Sequence, residues 1–365
     1  MRIGYDASPI RRRRSGIGYY ASALLDALAA EFPEDRFLVL SHLGRVGPSR
    51  ANVVTTQRLA FPIKELWMQL GLRRTLSRAR PDLCHFTNSV APLGLDLPYV
   101  VTVHDLSLVR HPEWHPRTRR LWMRRILRPS ILGARRVLCD SEATRRDLLD
   151  WLPLEESRTA VVPLGVRASF CRTCAPWERD AVLLRYGLSK PYFLYVGNIE
   201  PRKNLPALAD AFRAGAPDGV ELILAGRRAW LWRGVARRLG PLEREGRARR
   251  LDYVAEADLP ALYQSALALV YPSLMEGFGL PVLEAMASAV PVIASDIEPL
   301  ASLVGDAGWL APPDDVAAWA SALAEAARDG DRRARLGQRA RARAAGFTWE
   351  RTARETMAQY RAALS

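Results

Sequence analysis

Two glutamates with seven residues between them bracket a glycine-rich turn: Glu276-Gly277-Phe278-Gly279-Leu280-Pro281-Val282-Leu283-Glu284. Gly277 and Gly279 let the backbone approach a ligand closely, and Pro281 suits the first position of a helix. The unpaired N–H groups of such a helix start, aided by the helix dipole, can face an anion. Glu284 falls about one turn in, where a carboxylate beside a phosphate suits hydroxyl groups such as those of a ribose. A second run, Gly197-Asn198-Ile199-Glu200-Pro201-Arg202-Lys203-Asn204, sets a glycine and two cations at the opening of a helix, a pattern fit for a diphosphate. A third, Arg11-Arg12-Arg13-Arg14-Ser15-Gly16-Ile17-Gly18, also follows a strand and opens a helix; its arginines fit a solvated loop equally well. A fourth, Val101-Thr102-Val103-His104-Asp105, ends a strand on an imidazole, and His85 in Cys84-His85-Phe86-Thr87-Asn88 does the same.

The elements that must position these residues are short apolar runs alternating with amphipathic stretches. Ile3–Asp6, Phe37–Leu40, Leu83–Phe86, Val100–His104 and Val137–Asp140 are predicted as buried strands, with helices such as Gly18–Ala30 and Arg117–Leu132 between them. Asp140-Ser141-Glu142 reads as a helix cap after a strand. Arg167–Asp180 shows no period and is predicted as a linker. The alternation then restarts at Tyr192–Gly197, Glu221–Ala225, Ala268–Tyr271 and Pro291–Ala294, and Arg351–Leu364 reads as a last helix. Strands alternating with helices of this size predict an α/β fold of two doubly wound parallel sheets, with ligands beyond the carboxyl ends of the strands. The expected division is residues 1–170, residues 171–350 and a C-terminal helix over 351–365.

The Glu276 to Glu284 run, with Gly-Phe-Gly-Leu-Pro inside it, resembles the signature of the retaining family 4 (group 1) glycosyltransferases. That resemblance implies a GT-B fold, two Rossmann-like domains facing a central cleft, the first on the acceptor side and the second holding a nucleoside-diphosphate sugar. It implies that Glu276 contacts donor-sugar hydroxyls, Glu284 the ribose, and the backbone N–H groups of Phe278, Gly279 and Leu280 the sugar and phosphate. Lys203 matches the family's lysine. Where relatives often carry an arginine after the glycine, this chain has Asn198, and Arg202 is expected to supply the charge. Gly16 and Gly18 resemble the family's first glycine loop beside the donor phosphates, and His104 its histidine near the reacting carbon. Asp105 is expected to orient the loop or meet the acceptor, and His85, by its place at a strand end, to line the acceptor side. The resemblance extends to bacterial mannosyl- and rhamnosyltransferases of surface-polysaccharide assembly, which suggests GDP-mannose as donor and a glycan or lipid-linked oligosaccharide as acceptor.

Further expectations follow from the residues themselves. Arg202, Lys203 and the helix start can stabilise the leaving diphosphate, which predicts a metal-independent reaction with no resident cofactor; the Asp314-Asp315 pair is read as the start of a later helix. No side chain is an obvious covalent nucleophile. The net charge of +14 favours phosphates, anionic lipid or nucleic acid. No recognition-helix, zinc-finger or RNP pattern supports the last. A GT-B sugar-nucleotide epimerase is the alternative enzyme, opposed by the Glu276 to Glu284 run. Phe61–Leu70 carries Trp67 with Lys64, and Trp114–Arg136 mixes Trp114 and Trp122 with arginines, which suggests a peripheral site on an anionic membrane. No apolar run approaches the roughly 20 residues that span a bilayer, so the expected location is the cytoplasm. Cys171 and Cys174 form a C-x-x-C without a second pair and carry no expected chemistry.

Overall fold

The computed structural model describes residues 1–11, 16–42, 46–55 and 67–365, the side chains of Trp122 and Arg124 excepted. The contacts divide the chain into two units. The first comprises Met1–Leu106, Arg117–Gly165 and Phe347–Ser365; the second comprises Ser107–Pro116 and Val166–Gly346.

The first unit holds β1 (Arg2–Asp6), β2 (Arg36–Leu40), β3 (Val53–Thr55), β4 (Leu83–Phe86), β5 (Tyr99–Val103), β6 (Arg136–Cys139) and β7 (Thr159–Val161) in the order β3-β2-β1-β4-β5-β6-β7. Every pairing is parallel, with Tyr5 opposite His85 and Val103 opposite Cys139. All five residues of β5 are buried, as expected of a central strand covered on both faces. The second unit holds β8 (Tyr192–Val196), β9 (Glu221–Ala225), β10 (Ala248–Asp252), β11 (Ala268–Tyr271), β12 (Val292–Ser295) and β13 (Gly308–Ala311) in the order β10-β9-β8-β11-β12-β13, again all parallel.

Each sheet reverses its winding once, between β1 and β4 in the first unit and between β8 and β11 in the second. Such a switch point leaves a crevice at the carboxyl ends of the two strands. In the second unit both glycine-rich motifs lie there: Gly197–Asn204 follows β8, and Pro272–Gly279 follows β11.

Several elements differ from the sequence expectation. The Arg167–Asp180 stretch is partly helical, with helices over Ala168–Cys171 and Pro176–Tyr186. The second of these buries only Val182 on its inner face, so it has almost no apolar period to detect. The edge strands β3, β7, β10 and β13 are not among the predicted strands: β3 and β7 are three residues long, β13 is four residues opened by a glycine, and β10 is the charged run Ala-Arg-Arg-Leu-Asp. The C-terminal helix, Trp349–Leu364, belongs to the first unit. It buries Trp349, Thr352, Ala353, Thr356, Met357 and Tyr360, one helical face, and packs on the Gly16–Glu31 helix and on β4–β6.

Candidate functional site

In the second unit the chain leaves β8 through Gly197 and turns at Pro201–Lys203, a single 3-10 turn. The loop after β9 lies against it. A Cβ on Gly226 would come within 1.7 Å of the Gly197 carbonyl oxygen, so only glycine fits there. The Leu274 N–H donates to the Arg202 carbonyl at 2.9 Å, which ties the β8 loop to the β11 loop.

That tie brings three of the expected residues together. Lys203 Nζ lies 2.5 Å from Glu276 Oε1 and donates to the Tyr271 hydroxyl at 2.7 Å. The Arg202 guanidinium reaches Glu276 Oε2 at 3.0 Å through Nη1, which also donates to the Met275 carbonyl at 2.7 Å. Its Nε and Nη2 donate to Glu200 Oε1 at 3.3 and 3.1 Å. Arg202, Lys203, Glu200 and Glu276 are each at most 14% exposed at the side chain. Burial alone would raise the Glu276 carboxyl; the Arg202 and Lys203 charges override it and hold it below the usual carboxylate range. Burial, helped by Arg202, pushes the Lys203 ammonium down, and Glu276 and Glu200 only partly offset this.

The helix after the turn spans Leu280–Ala287, with Gly279 as its cap at φ +106° and Pro281 at the second helical position. The left-handed backbone at Gly279 excludes a side chain without strain. The first-turn N–H groups of this helix have no intrahelical acceptors. Phe278 is buried, so what it offers a ligand is its backbone. Glu284, on the same helix, accepts from Arg167 Nη2 and the Tyr263 hydroxyl, each at 3.1 Å. Arg167 also reaches Glu256 at 3.2 Å and lies over the Phe170 ring. Burial raises the Glu284 carboxyl above its usual range, against the pull of Arg167 and Tyr263.

Sequence reasoning missed four of these residues. Glu200 stood inside the quoted run without a role, Tyr271 was only a strand end, Arg167 fell in the supposed linker, and Tyr263 carried no motif. Only Glu200 had a local signal, its place two residues before Arg202. Asn198 is half-buried, and its carbonyl accepts from the Tyr195 hydroxyl at 2.8 Å.

In the first unit His104 follows β5. Its Nδ1 lies 2.7 Å from Asp140 Oδ2 and its Nε2 2.9 Å from the Thr87 carbonyl. Both ring nitrogens face acceptors, so the arrangement favours the doubly protonated ring. Burial works against that charge, but Asp140, the Thr87 carbonyl and Asp105 prevail and raise the His104 pKa. The Tyr20 ring meets the imidazole edge-on at 4.7 Å. Ser141 is the helix cap, accepting from Thr144 N–H at 3.2 Å, which leaves Asp140 as the partner of His104.

His85 does not line an acceptor surface. It is 0% exposed, with Nδ1 at 2.6 Å from the Tyr360 hydroxyl and Nε2 at 2.8 Å from Thr102 Oγ1. Burial, and the neighbouring His104 charge, push its pKa down to about 3, so it is a neutral strut between β4 and the C-terminal helix. Asp105 is half-buried beside His104. Gly16 opens the first helix and Gly18 is buried in its first turn; Arg12–Ser15 lie outside the described residues.

Trp67 cannot serve a membrane face, because it is buried at 1% exposure with its ring beside that of His42. Phe61–Leu66 lie outside the described residues, as does the Trp122 side chain. Trp114 is half-buried in the second unit, where its carbonyl accepts from Trp230 Nε1 at 2.8 Å. All four cysteines are free, Cys171 exposed and Cys174 buried.

Residues 185–343 match the family described as Glycosyl transferases group 1, and residues 14–170 match Glycosyltransferase Family 4. Over 392 aligned residues the chain is 32% identical to the O-antigen chain mannosyltransferase B of Escherichia coli, spanning 99% of this chain and all of that protein. Its fold is similar to that of a sucrose-phosphate synthase from Thermosynechococcus elongatus, with a TM-score of 0.78 at 20% identity over 99% of this chain and 98% of the other. It is also similar to that of Anabaena HepE in complex with UDP and glucose, with a TM-score of 0.77 at 18% identity over 99% and 100%.

Proposed function

The chain belongs to the group 1, family 4 glycosyltransferases, and from that premise we propose that it moves mannose from GDP-mannose to a glycan or lipid-linked acceptor, with retention and without a metal. Glycosyl transfer itself follows from the family; the donor, acceptor, stereochemistry and metal independence are the proposal. The observation that carries it is the meeting of Arg202, Lys203 and Glu276 at the switch point between β8 and β11, beside a glycine-capped helix start.

The chemistry proposed for these groups is electrostatic. The diphosphate settles on Lys203, Arg202 and the N–H groups of the Leu280–Ala287 helix, while sugar hydroxyls donate to Glu276 in place of the Lys203 ammonium. The ribose hydroxyls donate to Glu284. As the bond from the anomeric carbon to the phosphate oxygen breaks, its electron pair goes to the diphosphate, whose growing charge these preorganised groups stabilise. The acceptor oxygen forms the new bond from the same face and passes its proton to a donor phosphate oxygen. His104, as a cation held by Asp140, serves orientation and charge near the reacting carbon; it has no free lone pair to act as a base.

The name of the Escherichia coli relative supports mannose and a surface-polysaccharide acceptor. No helix among the described residues is long and apolar enough to cross a membrane. A peripheral site is proposed on two helical stretches without acidic residues. Arg117, Leu121, Arg125 and Arg128 are exposed on one, Leu70, Arg73, Arg74 and Arg78 on the other, and Leu121 and Leu70 are 70% and 63% exposed. Such faces combine apolar insertion with attraction to anionic headgroups.

Thermal-shift titration with GDP-mannose, GDP, UDP-glucose and UDP tests the donor. A ligand at 100 times its Kd adds about 2.7 kcal/mol of stability. Product analysis then separates transfer from epimerisation: release of the free diphosphate with a glycosylated acceptor is expected, and an altered sugar still joined to its nucleotide would establish the epimerase instead.

A further inference from the structure

Arg202 is gripped at two edges by two buried carboxylates. Glu276 takes Nη1, and Glu200 takes Nε and Nη2 through a single oxygen, Oε1. Glu276 also meets Lys203, so the formal charges of Glu200, Arg202, Lys203 and Glu276 cancel. A site proposed to hold a diphosphate therefore presents cations that are already matched.

The two carboxylates are not equivalent. Glu276 can exchange an ammonium for sugar hydroxyls. Glu200 is 2% exposed, and its second oxygen, Oε2, is buried with no hydrogen-bond partner among the described residues. Leaving a carboxylate oxygen buried and unpaired is costly. Aiming Arg202 does not require it, because Oε1 alone makes both contacts and an amide oxygen would make the same ones. What the carboxylate adds over an amide is a fixed negative charge behind the guanidinium.

We infer that Glu200 is a positioning residue that also sets the affinity for the diphosphate: it aims Arg202 and, through its charge, weakens the hold on the nucleoside diphosphate so that the product can leave. The inference rests on the donor site proposed above. A unit charge opposing a doubly charged anion across roughly 8 Å changes affinity by about tenfold where solvent screens the pair almost as well as bulk water, and by more where it screens less.

The test is Glu200→Gln, which keeps Oε1 and the side-chain shape while removing the charge. Calorimetry with GDP and UDP on the full chain should show the diphosphate that binds wild type binding the variant about tenfold tighter. The matching uncharged nucleoside, guanosine or uridine, should bind both proteins equally. Product inhibition should strengthen in the same ratio, and turnover should fall as release becomes limiting. Glu200→Asp, which keeps the charge, should stay within about threefold of wild type. If a thermal melt shows the glutamine variant unfolded, Glu200→Asn compared with Glu200→Asp tests the same sign at matched side-chain length. Equal or weaker diphosphate binding by the folded neutral variant would overturn the inference while leaving the donor site in place. Failure of wild type to bind either diphosphate would overturn the donor site, and this inference with it.

Discussion

Lys203 and Glu276 meet at 2.5 Å although they stand 73 positions apart in the chain, and both side chains are more than nine-tenths buried. A buried pair of this kind is weak evidence for stability, because desolvation of the two ions offsets their attraction. Its position at the switch point, with Arg202 and Tyr271 on the same groups, points to function instead.

Lys203→Ala is expected to lower turnover by about a hundredfold or more, the scale of losing one preorganised charge partner. Steady-state transfer assays on the folded variant check this. Wild-type turnover would remove Lys203 from the site.

Glu284→Ala is expected to weaken binding of the nucleoside diphosphate by about 1.5–3 kcal/mol, the scale of hydrogen bonds to a charged acceptor. Arg167 and Tyr263 lose the same partner, so a melting curve must accompany the calorimetry. Unchanged affinity would move the ribose elsewhere.

His104→Ala should reduce transfer more than donor affinity; a loss confined to donor affinity would contradict its placement near the reacting carbon. The His104–Asp140 pair also sets a pH dependence. The folded-state pKa of His104 is raised, so its stabilising contribution is fully present below the unfolded value of about 6.5 and fades as pH rises through the folded value. Melting temperatures taken upward from pH 6 should fall more for wild type than for Asp140→Asn, which has no carboxylate to hold the imidazolium. Parallel curves for the two proteins would disprove the link.

Transfer should survive EDTA, because Arg202, Lys203 and the helix start supply the positive charge that a divalent ion would otherwise bring. Loss of activity on chelation, restored by magnesium, would refute this.

Vesicles containing anionic lipid should bring the protein down at low salt and release it at high salt. Arg117, Arg125 and Arg128 should each contribute about 1 kcal/mol, and Leu121→Glu should weaken sedimentation while Trp67→Phe leaves it unchanged. Equal recovery with neutral vesicles would refute the anionic surface.

The sequence by itself determined the α/β alternation, the parallel sheets, the glycine-capped helix after β11 and the candidacy of Glu276, Glu284, Arg202, Lys203 and His104. These are local properties: apolar period, strand-end glycines, and a helix start whose unpaired N–H groups can be recognised from a few consecutive residues. Only the tertiary structure decided which groups pair. Asp140 looked like a helix cap and is the partner of His104; His85 looked like a strand-end ligand and is sealed against Tyr360 by a helix from the far end of the chain. Arg167 stood in an aperiodic stretch and grips Glu284. Glu200 became visible as a counter-charge only when Arg202 was found between it and Glu276. Periodicity reports which face of an element is buried. It carries no information about which distant side chain arrives there, and the charge balance of a buried cluster depends entirely on that.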